Sequence, residues 1–156
     1  MASSLTFYNK FLKYFQDGTI ILGTDTIKLM LVTSAYTFDA THDVIADVKT
    51  SPDPEVVAIA SPSNGYITGG ITLTNCAVTF SDSPPLSKFD ADDISFATLT
   101  ATFRRGILYA NKTIGSPAIV DPLIASILFD TTPADIVING IPYVIQWSTN
   151  GIYTVG

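Results

Sequence analysis

The chain of 156 residues contains one cysteine and one histidine. A lone Cys76 cannot support a disulfide framework, and a lone His42 excludes a site built on two or more histidines. Charge is scarce as well. Charged residues make up 14% of the chain, against about 25% in ordinary domains. The 8 basic residues face 14 acidic ones, a net charge of −6, so a phosphate backbone would be repelled. Long apolar runs are missing too. The longest, Ile27 to Val32 and Ile124 to Phe129, each contain a polar residue and fall far short of the roughly 18 residues that a membrane span needs. Met1 to Lys10 lacks a basic region followed by an apolar run and a small-residue cleavage site, so no secretory leader is expected. There is no repeat, linker or low-complexity tract.

What is present is grease. Hydrophobic residues reach 47%, too many for a disordered chain, and mean hydropathy is +0.36. The length suits a single domain over 1–156 that buries roughly two-thirds of its unfolded surface. A soluble protein with so few charges is expected to cover surface against a partner or its own copies.

Only the first segment has helical periodicity. Tyr8, Phe11, Leu12 and Phe15 fall at i, i+3, i+4 and i+7, which predicts a helix over about 4–16 with that face on a sheet. Ser3 or Ser4 would cap its start, Gly18 would end it, and Lys10 and Lys13 would face solvent. From about 19 to 155 the period is 2, and the body is expected to be β-rich. Ile27, Leu29 and Leu31 alternate with Lys28, Met30 and Val32; with both sides mostly apolar, this predicts a central strand covered on both faces. Asp43 to Val48 fits one helical turn, and Pro52, Pro54 and Pro62 bar a long element nearby. Glu55-Val-Val-Ala-Ile-Ala reads either as an edge strand or as an exposed apolar loop that docks on a partner. The glycines of Gly65-Tyr-Ile-Thr-Gly-Gly read as a turn feeding a strand at Ile71. Apolar parity switches at Asn75, between Ile71 and Leu73 on one side and Cys76, Val78 and Phe80 on the other, which predicts a bulge or bend. Ser83-Pro-Pro reads as a loop. Thr98 to Tyr109 reads as the longest strand, bulged at Gly106. Leu123 to Phe129 and Ile141 to Trp147 follow, with Asn139-Gly140 and Asn150-Gly151 as hairpin turns. The spacing predicts a mainly β fold, an antiparallel sandwich or barrel with one N-terminal helix.

Residues that carry chemistry are few and scattered. Asp90, Asp92 and Asp93 form the densest charge. Such oxygen clusters can hold a cation such as calcium, and paired carboxylates can cleave a glycoside. The glycine and distal glutamate of an EF-hand are absent, however, and the plainer reading is carboxylates capping a turn before Ile94. His42 has Asp39, Asp43 and Asp47 nearby but no nameable serine or cysteine partner. Cys76 sits in an apolar alternating run, where a thiol behaves as a small hydrophobe. No Gly-x-Ser-x-Gly elbow occurs, and Gly65 to Gly70 lacks the lysine and helix of a phosphate loop. Arg104 and Arg105 are neighbours in a strand and so point to opposite faces. One is expected to pair with an acid such as Asp90 or Asp92, the other to face an acidic partner. Asn111-Lys-Thr fits a glycosylation acceptor, which means little without a secretory leader. No catalytic residue, cofactor or metal site is assigned.

The order of motifs says more than any one of them. Tyr8-Asn-Lys comes first, then Asp25-Thr-Ile-Lys-Leu-Met-Leu-Val-Thr-Ser-Ala-Tyr and Gly65-Tyr-Ile-Thr-Gly-Gly-Ile-Thr-Leu. Lys88-Phe-Asp-Ala-Asp-Asp-Ile-Ser-Phe, Thr98-Leu-Thr-Ala-Thr-Phe-Arg-Arg-Gly-Ile-Leu-Tyr and Ile145-Gln-Trp-Ser-Thr-Asn-Gly-Ile complete the series. Over nearly its whole length the chain resembles a family of small virion-associated structural proteins of tailed bacteriophages. The resemblance implies a noncatalytic particle component, in first place a capsid decoration (cement) protein. Such a protein is made in the host cytoplasm and sits on the phage head, with the major capsid protein as partner and neither nucleic acid nor membrane. Self-association, for instance as a trimer, suits capsid symmetry. The stretch from Thr50 to Asn64 is longer and more apolar than in the relatives, and Val56, Val57 and Ile59 are the candidate partner contacts. The alternative is a tail- or fibre-associated module that binds a host-surface glycan through Tyr36, Phe38, Asp39 and Tyr66.

Overall fold

In the computed structural model, which describes residues 3–56, 65–132 and 134–155, the chain begins with β1 (Ser4–Phe7), α1 (Asn9–Gln16), β2 (Ile27–Val32) and α2 (Ile45–Val48). There follow β3 (Ile71–Thr72), β4 (Ala77–Asp82), β5 (Pro85–Asp90), β6 (Ile94–Phe103) and β7 (Arg105–Ala110). The remaining strands are β8 (Thr113–Ile114), β9 (Ile119–Val120), β10 (Leu123–Leu128), β11 (Ile136–Ile145) and β12 (Tyr153–Val155). The main sheet has the order β1-β10-β7-β2-β3; β11 pairs with β6, β12-β5-β4 form a third sheet, and β8 pairs with β9. Every pairing is antiparallel. The sheets pack as a sandwich.

The main sheet is covered on both sides, and alternation along its strands divides the core in two. Ile27, Leu29 and Leu31 of β2 and Leu108 and Ala110 of β7 point toward β5, β6 and β11, where they meet Phe89, Phe96, Leu99, Phe103 and Ile145. Met30, Val32, Ile107 and Tyr109 point the other way, onto Tyr8, Tyr36, Val48, Phe38 and Ile45. The segment after β2, with α2 inside it, thus forms a lid over the second face. Gly106 pairs in register with Leu31 and Ile127. It is not a bulge: a Cβ there would lie 2.7 Å from Leu29 Cδ1 and 3.0 Å from the Phe129 ring, so glycine is required by close packing.

Several elements differ from the sequence reading. Residues 4–7 are a strand rather than the first turn of a helix, and Ser4 pairs with Leu128. The helix starts at Asn9 behind Tyr8, with no side-chain cap. Its buried residues are Phe11 and Tyr14, while Leu12 and Phe15 are exposed. The strand read from Thr98 to Tyr109 is two strands from different sheets, broken at Arg104, whose N–H donates to Val32 O. Asn139-Gly140 is no hairpin turn: Asn139 opposes Thr100 and Ile141 opposes Leu99, which leaves Gly140 (φ +67°) as the extra residue of a bulge within β11. Ser83-Pro84 joins β4 to β5, and β5 was not anticipated as a strand. Asn75 has φ +53° between β3 and β4, as the parity switch requires.

Candidate functional site

The residues with chemical potential are occupied by structural bonds. Asp92 Oδ2 accepts from Thr74 Oγ1 (2.9 Å) and Asn75 Nδ2 (2.6 Å), Asp93 Oδ1 accepts from the Trp147 N–H (2.9 Å), and Asp90 pairs with Lys88 at 3.0 Å. These carboxylates cap the turn before β6 and tie it to Trp147. Among the described residues, no group of three or more His, Cys, Asp or Glu side chains is placed to hold a metal. Arg104 pairs with Asp135 at 2.7 Å, not with Asp90 or Asp92. Arg105 donates to the buried Ser126 Oγ at 3.3 Å and lies over Phe38. Burial, together with the nearby Asp92 charge, raises the Cys76 thiol above its ordinary pKa, which disfavours the nucleophilic thiolate. Asn111 Nδ2 donates to Asp121 at 2.8 Å.

His42 belongs to a chain of rings under the lid. Tyr8 Oη and Tyr36 Oη are 2.9 Å apart, and Tyr36 Oη is 3.2 Å from His42 Nδ1. Burial raises the pKa of both phenols. Tyr14 donates to Asp43, which also pairs with Lys10, and is pushed up to about 12 by burial and by that bond. The four glycan-site residues are not brought together: Tyr36 lies under the lid and Tyr66 in the core on the opposite face of the main sheet.

Sequence reasoning missed a second cluster, around Glu55. This residue is 4% exposed. Its Oε1 accepts from the Tyr66 hydroxyl at 2.9 Å and from the Gly69 N–H, and its Oε2 pairs with Lys49. Tyr66 in turn accepts from the Leu31 N–H at 3.1 Å, and Tyr109 donates to Gly69 O. The bond to Glu55 raises the Lys49 pKa. The signal was available, since Glu55 is the chain's single glutamate and heads an apolar run. Val56 follows it into the core at 5% exposure, its N–H bonded to Leu31 O. Val57 and Ile59 lie outside the described residues.

Two exposed features of the described residues bear on function. The hairpin of β4 and β5 extends from the body with all six β4 residues exposed. On one of its faces Val78, Phe80 and Val155, at 48%, 66% and 57% exposure, continue outward from buried Phe89. Where the main sheet and the β6–β11 sheet part, a groove of about 330 Å³ runs between Ser3, Ser4 and Leu5 on one side and Tyr143 to Ser148 on the other. Compared with protein-family models, curated proteins and solved structures, the chain matches none of them.

Proposed function

We propose that this chain is a noncatalytic structural protein of a tailed-phage particle, a decoration protein that binds the outside of the head and stabilises it. The observation that carries this reading is the β12-β5-β4 arm, whose apolar face of Val78, Phe80 and Val155 is left uncovered by the described residues. An apolar face held out on a hairpin is a docking feature. The resemblance of the motif order to that of phage structural proteins supports the same reading, as does the use of Asp90, Asp92, Asp93 and His42 in structural bonds. Binding the assembled shell and not its dissociated subunits stabilises the shell by mass action. Weak contacts repeated by symmetry are enough for this, and self-association on the shell adds avidity.

The test uses heads that lack this protein. The purified chain is expected to co-sediment with them and raise their melting temperature. Phe80→Ser is expected to weaken binding at least tenfold while leaving the fold intact, because Phe80 is mostly in solvent. Failure of the unmodified chain to bind heads overturns the reading.

A further inference from the structure

We propose that the groove between β1 and β11 binds a neutral saccharide unit, an activity separate from head binding and independent of it. Its volume, about 330 Å³, falls at the lower end of the range for small-ligand sites. None of the chain's 8 basic and 14 acidic residues lines it among the described residues, so no side chain there would balance a charged ligand. Trp147 forms part of the wall and is held in place. Its backbone N–H donates to Asp93 Oδ1 and its indole Nε1–H to Asp92 O, both at 2.9 Å. With the polar edge engaged, the ring offers carbon surface to the groove.

The opposite requirement, for hydrogen-bonding partners, is also present. Tyr143, Gln146, Ser3 and Ser4 line the groove, and the Tyr143 hydroxyl, the Gln146 amide and both serine hydroxyls make no hydrogen bond to described residues. Tyr143 is partly buried, and a phenol in that position ordinarily finds a partner. A sugar ring matches both requirements, with C–H faces for aromatic carbon and hydroxyls that donate and accept. A lipid chain would leave the polar groups unpaired, and an anionic sugar would find no cationic side chain among the described lining residues. The competing occupant is an extended uncharged peptide, because β1 and β11 are both edge strands.

Trp147 is the only tryptophan, so its emission reports the groove directly. The chain is titrated with cellohexaose, maltohexaose and chitin hexamer, and separately with a short uncharged peptide of alternating valine and threonine. A saturable shift with at least one oligosaccharide is expected. Tyr143→Phe and Gln146→Ala should each weaken it about fivefold with unchanged circular dichroism, and calorimetry on Trp147→Phe should show the same loss. Silence with all three sugars at millimolar concentration, or a shift with the peptide alone, overturns the proposal. Neither result bears on head binding, which is read by sedimentation.

Discussion

Glu55 shows what a single buried charge demands. Its two oxygens satisfy three donors from two parts of the chain, Lys49 on one side and Tyr66 and Gly69 of one turn on the other. Removing it leaves Lys49 with Asp53 at 3.4 Å and takes one acceptor from the Tyr66 hydroxyl and the Gly69 N–H beside the core. Glu55→Ala is expected to cost about 3 kcal/mol in urea unfolding, roughly a 9 °C drop in melting temperature. Glu55→Gln, which keeps an acceptor for Tyr66 and Gly69, should cost about half as much. Gly70 is constrained differently. Its φ is +86°, and a Cβ would lie 2.5 Å from Leu29 O, so Gly70→Ala should destabilise by more than about 2 kcal/mol in the same assay. At this scale little was legible in the sequence. The turn at Gly65 to Gly70 could be read, but not the acid that holds it, because the partners of Glu55 lie on both sides of it with no regular spacing to read.

Elements were more legible than their boundaries. The apolar runs located β2 and β10, since strands covered on both faces read as nearly continuous apolar segments, and the stretch from Asp43 to Val48 located α2. The helix starts later than its spacing suggests, since Leu5 stands three residues before Tyr8 and extends the same helical period. Pairing with β10 outweighs that pattern, and it rotates the buried face of α1 onto Phe11 and Tyr14. Phe11→Ala is therefore expected to cost about 3–4 kcal/mol, whereas Leu12→Ala and Phe15→Ala stay within about 1 kcal/mol; chemical denaturation of the three variants decides it. The boundary at Arg104 escaped notice for a similar reason. Ten apolar-alternating residues of β6 run into six of β7 with no proline or glycine between them, and only the change of sheet separates them. The groove was beyond reach for a further reason: it is assembled from the two ends of the described chain.

The whole molecule carries a titration signature. All seven tyrosines have pKa values raised by burial, Tyr14, Tyr109 and Tyr153 to about 12. The folded chain therefore holds these protons while the unfolded chain releases them above about pH 10. Their contribution to stability is complete below that pH and is lost as pH rises through 12. Absorbance at the phenolate band should stay flat to about pH 10 and then rise together with loss of β structure, rather than in seven independent steps. Early ionisation of the folded chain would contradict the burial described above.

The four-residue strand β1 has a last implication, for keeping copies of the molecule apart. It shields one side of Leu123–Leu128, a segment whose only polar side chain is Ser126. Deleting the chain through Phe7 would bare that ladder as a template for its own kind, and the clipped product should form thioflavin-positive fibrils where the intact chain stays dispersed.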